Sequence, residues 1–138
     1  MWMEDKINII IATIAFGMGI NKPDVRFVIH NSLSKSLEGY YQESGRAGRD
    51  GNPARCILFY NRSDRTALQS MILKNDYSSA AQKHFGMQQL SQMVQYCEEK
   101  YMCRRQFQLN YLGEKDFDPT TCNKTCDNCR KGLVSKDF

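Results

Sequence analysis

Arg26-Phe27-Val28-Ile29-His30 and Arg55-Cys56-Ile57-Leu58-Phe59-Tyr60 bracket the segment from Ser36 to Arg46, and the reading of that stretch decides the fold. Both outer runs are rich in β-branched and aromatic residues, the composition of strands. The middle reads as a helix, opened by Ser34 or Ser36 as cap with Glu38 close behind. Strands that alternate with helical segments predict an α/β layer on a mostly parallel sheet.

Working upstream, Ile7-Asn8-Ile9-Ile10-Ile11-Ala12-Thr13 is a dense β-branched run between charged residues and Phe16-Gly17-Met18-Gly19. It predicts a further strand, buried on both faces as in parallel sheets. A strand that starts at residue 7 has no earlier βα units beside it. The expectation is therefore an incomplete sheet, truncated at its front. Downstream, Ser63 to Asn75 predicts a helix with Leu68, Met71 and Ile72 on one face, and the polar stretch Asp76 to Lys83 then separates two regions. Leu90, Met93, Val94 and Cys97 recur at i, i+3, i+4 and i+7, the pattern of an amphipathic helix. A shorter helix is expected from Cys103 to Leu112, ending at Gly113, and a cysteine-rich loop follows Pro119.

The 138 residues are 41% apolar and 25% charged, values of a globular chain rather than a disordered one. Nineteen basic against 15 acidic side chains leave a net charge of +4, compatible with a nucleic-acid partner but not a demand for one. The apolar run Ile7 to Phe16 is too short to span a bilayer and follows Glu4-Asp5-Lys6, so neither a membrane span nor a signal peptide is expected. Cysteines are then expected as thiols or metal ligands in a reducing compartment.

Two segments are candidates for phosphate chemistry, although the second, by itself, also reads as an ordinary strand-to-loop turn. In Gln42-Glu43-Ser44-Gly45-Arg46-Ala47-Gly48-Arg49-Asp50-Gly51, a helix continued to its end would put Gln42, Arg46 and Arg49 on one face, with Gly45 and Gly48 beside it. Two guanidinium forks and an amide suit a polyphosphate. The run from Ala12 to Asp24 follows a predicted strand at its carboxyl end, where α/β sheets place ligands, with Thr13 offering a hydroxyl and Gly17 and Gly19 a sharp turn. The sequence holds no Gly-x-x-x-x-Gly-Lys-Ser/Thr loop and no Asp-Glu-x-His box. Without them the chain is not expected to hydrolyse ATP by itself.

Of six cysteines, Cys126-x-x-Cys129 has common zinc spacing and Cys122 lies four residues upstream. Cys97 and Cys103 compete for the fourth place. Cys97 shares the apolar face of its helix and reads as core, whereas Cys103 opens a helix and precedes Arg104 and Arg105, which favour a thiolate. Cys103, Cys122, Cys126 and Cys129 are thus the predicted ligands of a structural Zn²⁺, with Arg104, Arg105, Lys124, Arg130 and Lys131 to offset its charge. Cys56 reads as core. Tyr40 and Tyr41 are expected to pack on the sheet, and His30 and His84 receive no role.

In order and spacing these features resemble the RecQ family of DNA helicases: Ile11 to Asp24 is similar to helicase motif V, Gln42 to Gly51 to motif VI, and the cysteine pattern to the RecQ zinc module. The resemblance implies an α/β, partial RecA-like helicase C-terminal lobe of the P-loop NTPase type over residues 1–75. A helical zinc-binding subdomain with a short tail would follow over 76–138. It implies Arg49 as arginine finger, Arg46 as a second γ-phosphate contact, Gln42 as nucleotide sensor, and Gly19 and Asn21 near the ATP ribose. Many family members carry aspartate at the position of Asn21. Thr13 would touch the DNA backbone. The implied activity is ATP-dependent 3′-to-5′ unwinding of single-stranded, forked or junction DNA in the nucleus. ATP and Mg²⁺ would be held mainly by another lobe. The competing reading is a non-catalytic DNA- or protein-binding zinc module.

Overall fold

The computed structural model describes residues 1–17 and 21–132. Strands β1 (Phe27–His30) and β2 (Arg55–Leu58) pair in parallel, Phe27 opposite Arg55 and His30 opposite Leu58. Amides of Arg55 and Phe59 donate to the carbonyls of Arg26 and His30 at 2.8 and 3.0 Å and extend the ladder at its ends. Helix α1 (Leu37–Ser44) makes the crossover that a parallel pair requires. Its cap is Ser36, whose Oγ accepts from the Gly39 amide at 3.0 Å. Ser34, the other candidate, donates instead to Glu43 Oε2 at 3.0 Å, and His30 Nε2 meets the same oxygen at 2.7 Å. Glu43 thereby fastens α1 to the end of β1.

Residues 7–13 are not a strand. Ile7, Ile9 and Ile11 are exposed, Ile11 at 96%, and the segment runs irregularly into a 3₁₀ turn at Ile14–Gly17. A β-branched run becomes a strand by pairing, and β1 and β2 are the only strands among the described residues. The helix through residue 49 is also corrected. α1 ends at Ser44, and residues 45–50 form turns with Gly48 at φ +65°. A side chain at Gly48 would come within 2.9 Å of the Asn52 carbonyl, so the turn itself requires glycine there.

Helix α2 (Arg62–Leu73) is capped by Asn61. Helix α3 (Ala80–Glu98) begins inside the stretch read as a polar separator, because Ser79 and Gln82 form a reciprocal capping box. Helices α4 (Arg104–Tyr111) and α5 (Asp127–Lys131) complete the chain, with a 3₁₀ turn at Pro119–Cys122 between them. None of the helices among the described residues is long and apolar enough to cross a membrane.

α3 packs against α1, α2 and α4, and the core lies along it. Leu33, Leu37 and Tyr40 meet Leu90, Met93, Val94 and Tyr96, with Leu58, Tyr60, Leu68, Ile72, Cys97, Phe107 and Tyr111 packed around them. Side chains from before and after residue 75 therefore share one core. The adjacent tyrosines part company: Tyr40 is buried, and Tyr41 faces solvent because a one-residue step turns it about 100° around the helix. Cys56, read as core, is exposed and donates to the Ser44 carbonyl at 3.4 Å.

Among the described residues only one face of the sheet is covered. Val28, His30, Leu58 and Tyr60 turn inward, while Phe27, Ile29, Ile57 and Phe59 alternate outward and are exposed. Met93→Ala, in the core, should cost about 2–5 kcal/mol in urea unfolding. Ile29→Thr on the open face should stay within about 0.5 kcal/mol of the parent. Equal losses at the two positions would mean that the outer face is covered in solution.

Candidate metal centre and phosphate-facing loop

Four cysteines from three elements converge. Cys103 is the residue preceding α4, Cys122 closes the 3₁₀ turn, Cys126 caps α5, and Cys129 lies within α5. Asp118 starts the turn by accepting from the Thr120 amide at 2.9 Å, and left-handed Asn123 and Lys124 reverse the chain so that Cys126 comes back to Cys103. All four sulfurs lie within 4.8 Å of one another. Sulfurs tetrahedrally placed about 2.3 Å from a zinc ion are separated by about 3.8 Å, so the set is close to closed coordination.

The thiols cannot all ionise unaided. Burial and the Cys126 and Cys103 sulfurs push the Cys129 thiol up, and burial also raises Cys103. At Cys122, burial opposes ionisation, yet the Thr125 hydroxyl and the Cys126 amide outweigh it and bring the thiol down to about 6. A divalent cation removes that conflict by holding four thiolates together. The donors thus fit a structural zinc ion with no position left for a reacting water. Cys97 lies outside the cluster, and burial pushes its thiol up to about 11.

The surroundings were only partly foreseen. Arg104 does not simply offset the charge of the cluster. Its Nε and Nη2 donate to Asp127 at 3.0 and 3.3 Å, its Nη1 donates to the Tyr96 carbonyl, and it lies 5.1 Å over the Tyr96 ring. Lys131 reaches the same carboxylate at 3.7 Å. Asn128, 2% exposed, donates to the carbonyls of Glu99 and Met102 at 3.1 and 2.9 Å. It clips the Cys-x-x-Cys turn to the α3–α4 link. Its position between two cysteines is the one sequence signal that could have drawn attention to it.

The residues expected to meet phosphate lie in and after α1. Gln42 is exposed on α1, Arg46 is half-buried after it, and Arg49 is exposed in the following turn. The loop is pulled back by bonds from Gly48 N to Val25 O and from Asp50 N to Pro23 O, at 2.9 and 3.0 Å. This brings Arg49 Nη1 to Asn21 Oδ1 at 2.8 Å. Arg26 donates to Asp50 at 2.6 Å, and that hydrogen bond holds the Asp50 carboxyl below its ordinary range. Arg49 and Asn21 are thus brought together. Thr13 is exposed in the irregular segment, and Gly19 lies outside the described residues.

Cys126→Ser should therefore lose bound zinc and loosen the chain from about residue 85 onward, because structural zinc contributes folding free energy. Cys97→Ser should keep the metal. Zinc release to a chromophoric chelator measures both, and loss from Cys97→Ser with retention in Cys103→Ser would reverse the ligand assignment.

Comparison with known proteins identifies the family of the chain. The family "RecQ zinc-binding" matches residues 62–130, and "Helicase conserved C-terminal domain" matches residues 2–51. ATP-dependent DNA helicase Q-like 4B of Arabidopsis thaliana is 52% identical across 99% of this chain and 13% of that protein. ATP-dependent DNA helicase hus2/rqh1 of Schizosaccharomyces pombe is 54% identical over 93% of the chain and 10% of that protein. RecQ-like DNA helicase BLM of Xenopus laevis is 51% identical over 97% of the chain and 10% of that protein. The chain therefore spans only 10–13% of the length of these relatives. With both the helicase C-terminal and the zinc-binding matches in order along it, the chain belongs to the RecQ family of helicases.

Proposed function

We propose that this chain supplies the arginine side of the ATP site, and part of the DNA track, in an ATP-dependent 3′-to-5′ DNA helicase. The observation that carries the reading is the loop holding Arg49, folded back on residues 21–25 and presenting an exposed guanidinium. In this reading Arg49 is the arginine finger and Arg46 a second contact to the γ-phosphate. Gln42 senses the nucleotide, Gly19 and Asn21 approach the ribose, and Thr13 meets the DNA backbone. Mg²⁺ and most of the ATP belong to a first lobe carrying a Walker A loop. Residues 1–75 act as the motor part and residues 76–138 as the zinc-bearing support. The substrate class is single-stranded, forked or junction DNA, and the compartment is the nucleus.

Charge develops on the transferred phosphoryl group, so a guanidinium placed there acts mainly in the transition state. The zinc module supports that arrangement mechanically: α4 and α5 brace α3, and α3 carries α1, from whose end the arginine loop departs.

The chain alone should turn over ATP no faster than a blank, while binding DNA weakly and losing it steeply with added salt. Joined behind a first helicase lobe, Arg49→Ala should lower kcat by about 10³-fold, as finger removal does elsewhere, with ATP affinity little changed. Arg49→Lys should rescue poorly, since an ammonium lacks the planar fork. Steady-state ATPase and titration with a fluorescent nucleotide separate the two effects. Near-normal turnover in Arg49→Ala would transfer the role to Arg46, and robust DNA-stimulated turnover by the chain alone would refute its dependence on a first lobe.

A further inference from the structure

Residues 45–50 hold Arg49 in turns rather than in a helix, and Gly48 and Gly51 take left-handed φ values of +65° and +82°. A segment of this kind has no helical ladder to fix it, and its glycines lose more freedom than other residues when they are ordered. Two main-chain bonds, from Gly48 to Val25 and from Asp50 to Pro23, tether it along one side. One side chain ties the rest. Arg26 Nη2 donates to Asp50 Oδ1 at 2.6 Å, Nη1 to the Pro53 carbonyl at 3.0 Å, and Nε to the Asp24 carbonyl at 3.1 Å. Its three nitrogens thus join the approach to β1, the residue after Arg49 and the approach to β2. The Arg26 main chain belongs to the sheet ladder, since its carbonyl accepts from the Arg55 amide at 2.8 Å. Asp50 is fixed in turn by the Asn52 amide at 3.0 Å and by Asn52 Nδ2 at 3.2 Å. A planar guanidinium holds its donors at set angles, so the three acceptors are set relative to one another.

We propose that Arg26 is a positioning residue for Arg49, bracing its loop from the foot of β1 through the Asp50 carboxylate and the Pro53 carbonyl. This rests on the reading of Arg49 as the phosphate-contacting arginine. Arg26 engages all three of its nitrogens within the chain, so it acts on the reaction only through the place it gives to the loop. A displacement of about 1 Å at a reacting group can cost about 10²-fold in rate, and a loop freed at Asp50 moves the very next residue.

The test uses the chain joined behind a first helicase lobe. Arg26→Ala should lower kcat about tenfold to hundredfold, with the KM for ATP changed by less than about twofold. Placed in Arg49→Ala, the same substitution should lower kcat by less than about twofold further, because both changes act through one guanidinium. An equal loss in the two backgrounds, as general destabilisation would give, overturns the proposal. Arg26→Lys restores the charge without the three-way span and should stay at least about threefold below the parent, so full recovery also overturns it. Arg26→Lys runs the same cycle if Arg26→Ala fails to fold. In the chain itself, hydrogen exchange at the Gly48 and Asp50 amides should quicken about tenfold in Arg26→Ala, with the amides of α1 unaffected. Unchanged exchange at Gly48 and Asp50 removes the brace whatever the kinetics show. Failure of the underlying reading is visible separately, as near-normal turnover in Arg49→Ala, while the exchange arm still reports on the brace.

Discussion

The packing of Tyr96 is the constraint on which the rest of the molecule depends. Its ring lies 5.6 Å from Tyr40 of α1 on one side and 5.6 Å from Phe107 of α4 on the other, with the Arg104 guanidinium at 5.1 Å. Its hydroxyl accepts from Gln108 at 3.2 Å, and its carbonyl accepts from Arg104. Burial pushes its phenol far above the ordinary value, and burial raises the Tyr40 phenol to about 12, so both stay neutral at physiological pH. Aromatic pairs at this spacing add about 0.5–1.5 kcal/mol beyond their buried area, and here two pairs share one residue.

That stack joins two parts that neither local structure nor composition would weld. On one side, His30 lies 5.0 Å from Tyr40, and Glu43 binds His30 and Ser34, so α1 is fixed to the carboxyl end of β1. On the other, Arg104 passes from Tyr96 to Asp127, inside the Cys-x-x-Cys turn. Asp127 is held ionised below the ordinary carboxylate range, first by the Arg104 hydrogen bond and against the opposing effect of burial. Its contribution is complete at neutral pH and fades only as pH falls through that lowered value. The zinc ligands therefore organise more than their own loop. They hold α5 and α4 in the orientation that lets Arg104 and Phe107 clamp Tyr96.

Where sequence and structure agree, the information was local. The β1–α1–β2 unit was legible because a helix between two β-rich runs leaves a parallel pair as the short solution, and α3 and α4 followed from apolar spacing. Three of the four clustered cysteines were legible from spacing, and Cys103 was separated from Cys97 by its place at a helix start. What failed depended on partners. Ile7 to Thr13 has strand composition, but composition cannot supply the neighbouring strand. Cys56 shares the face of Val28 and Leu58, yet its position there stays exposed. Asn128 and the Arg104–Asp127 pair were invisible because their partners are 23 to 29 residues away. The contact of Arg49 with Asn21 was hidden for the same reason, since only the turn at Gly48 brings those segments together.

The uneven distribution of buried side chains follows from where the apolar surface finds a partner. A parallel pair of strands is ordinarily covered on both faces. Here Leu58 and Tyr60 on the inner face pack against the core of α1 and α3, while Phe27, Ile29, Ile57 and Phe59 are exposed. Isolated apolar side chains on a surface are normal, but two adjacent strands presenting a shared apolar face mark a site of contact. The arginine loop lies at the border between these regimes. It is anchored through Val25 and Pro23 on the strand side, and through α1 to the Tyr96 stack on the other. Its backbone is thus fixed by the braced half of the molecule, while Arg49 itself stays exposed, its Nη1 donating to the Asn21 amide oxygen.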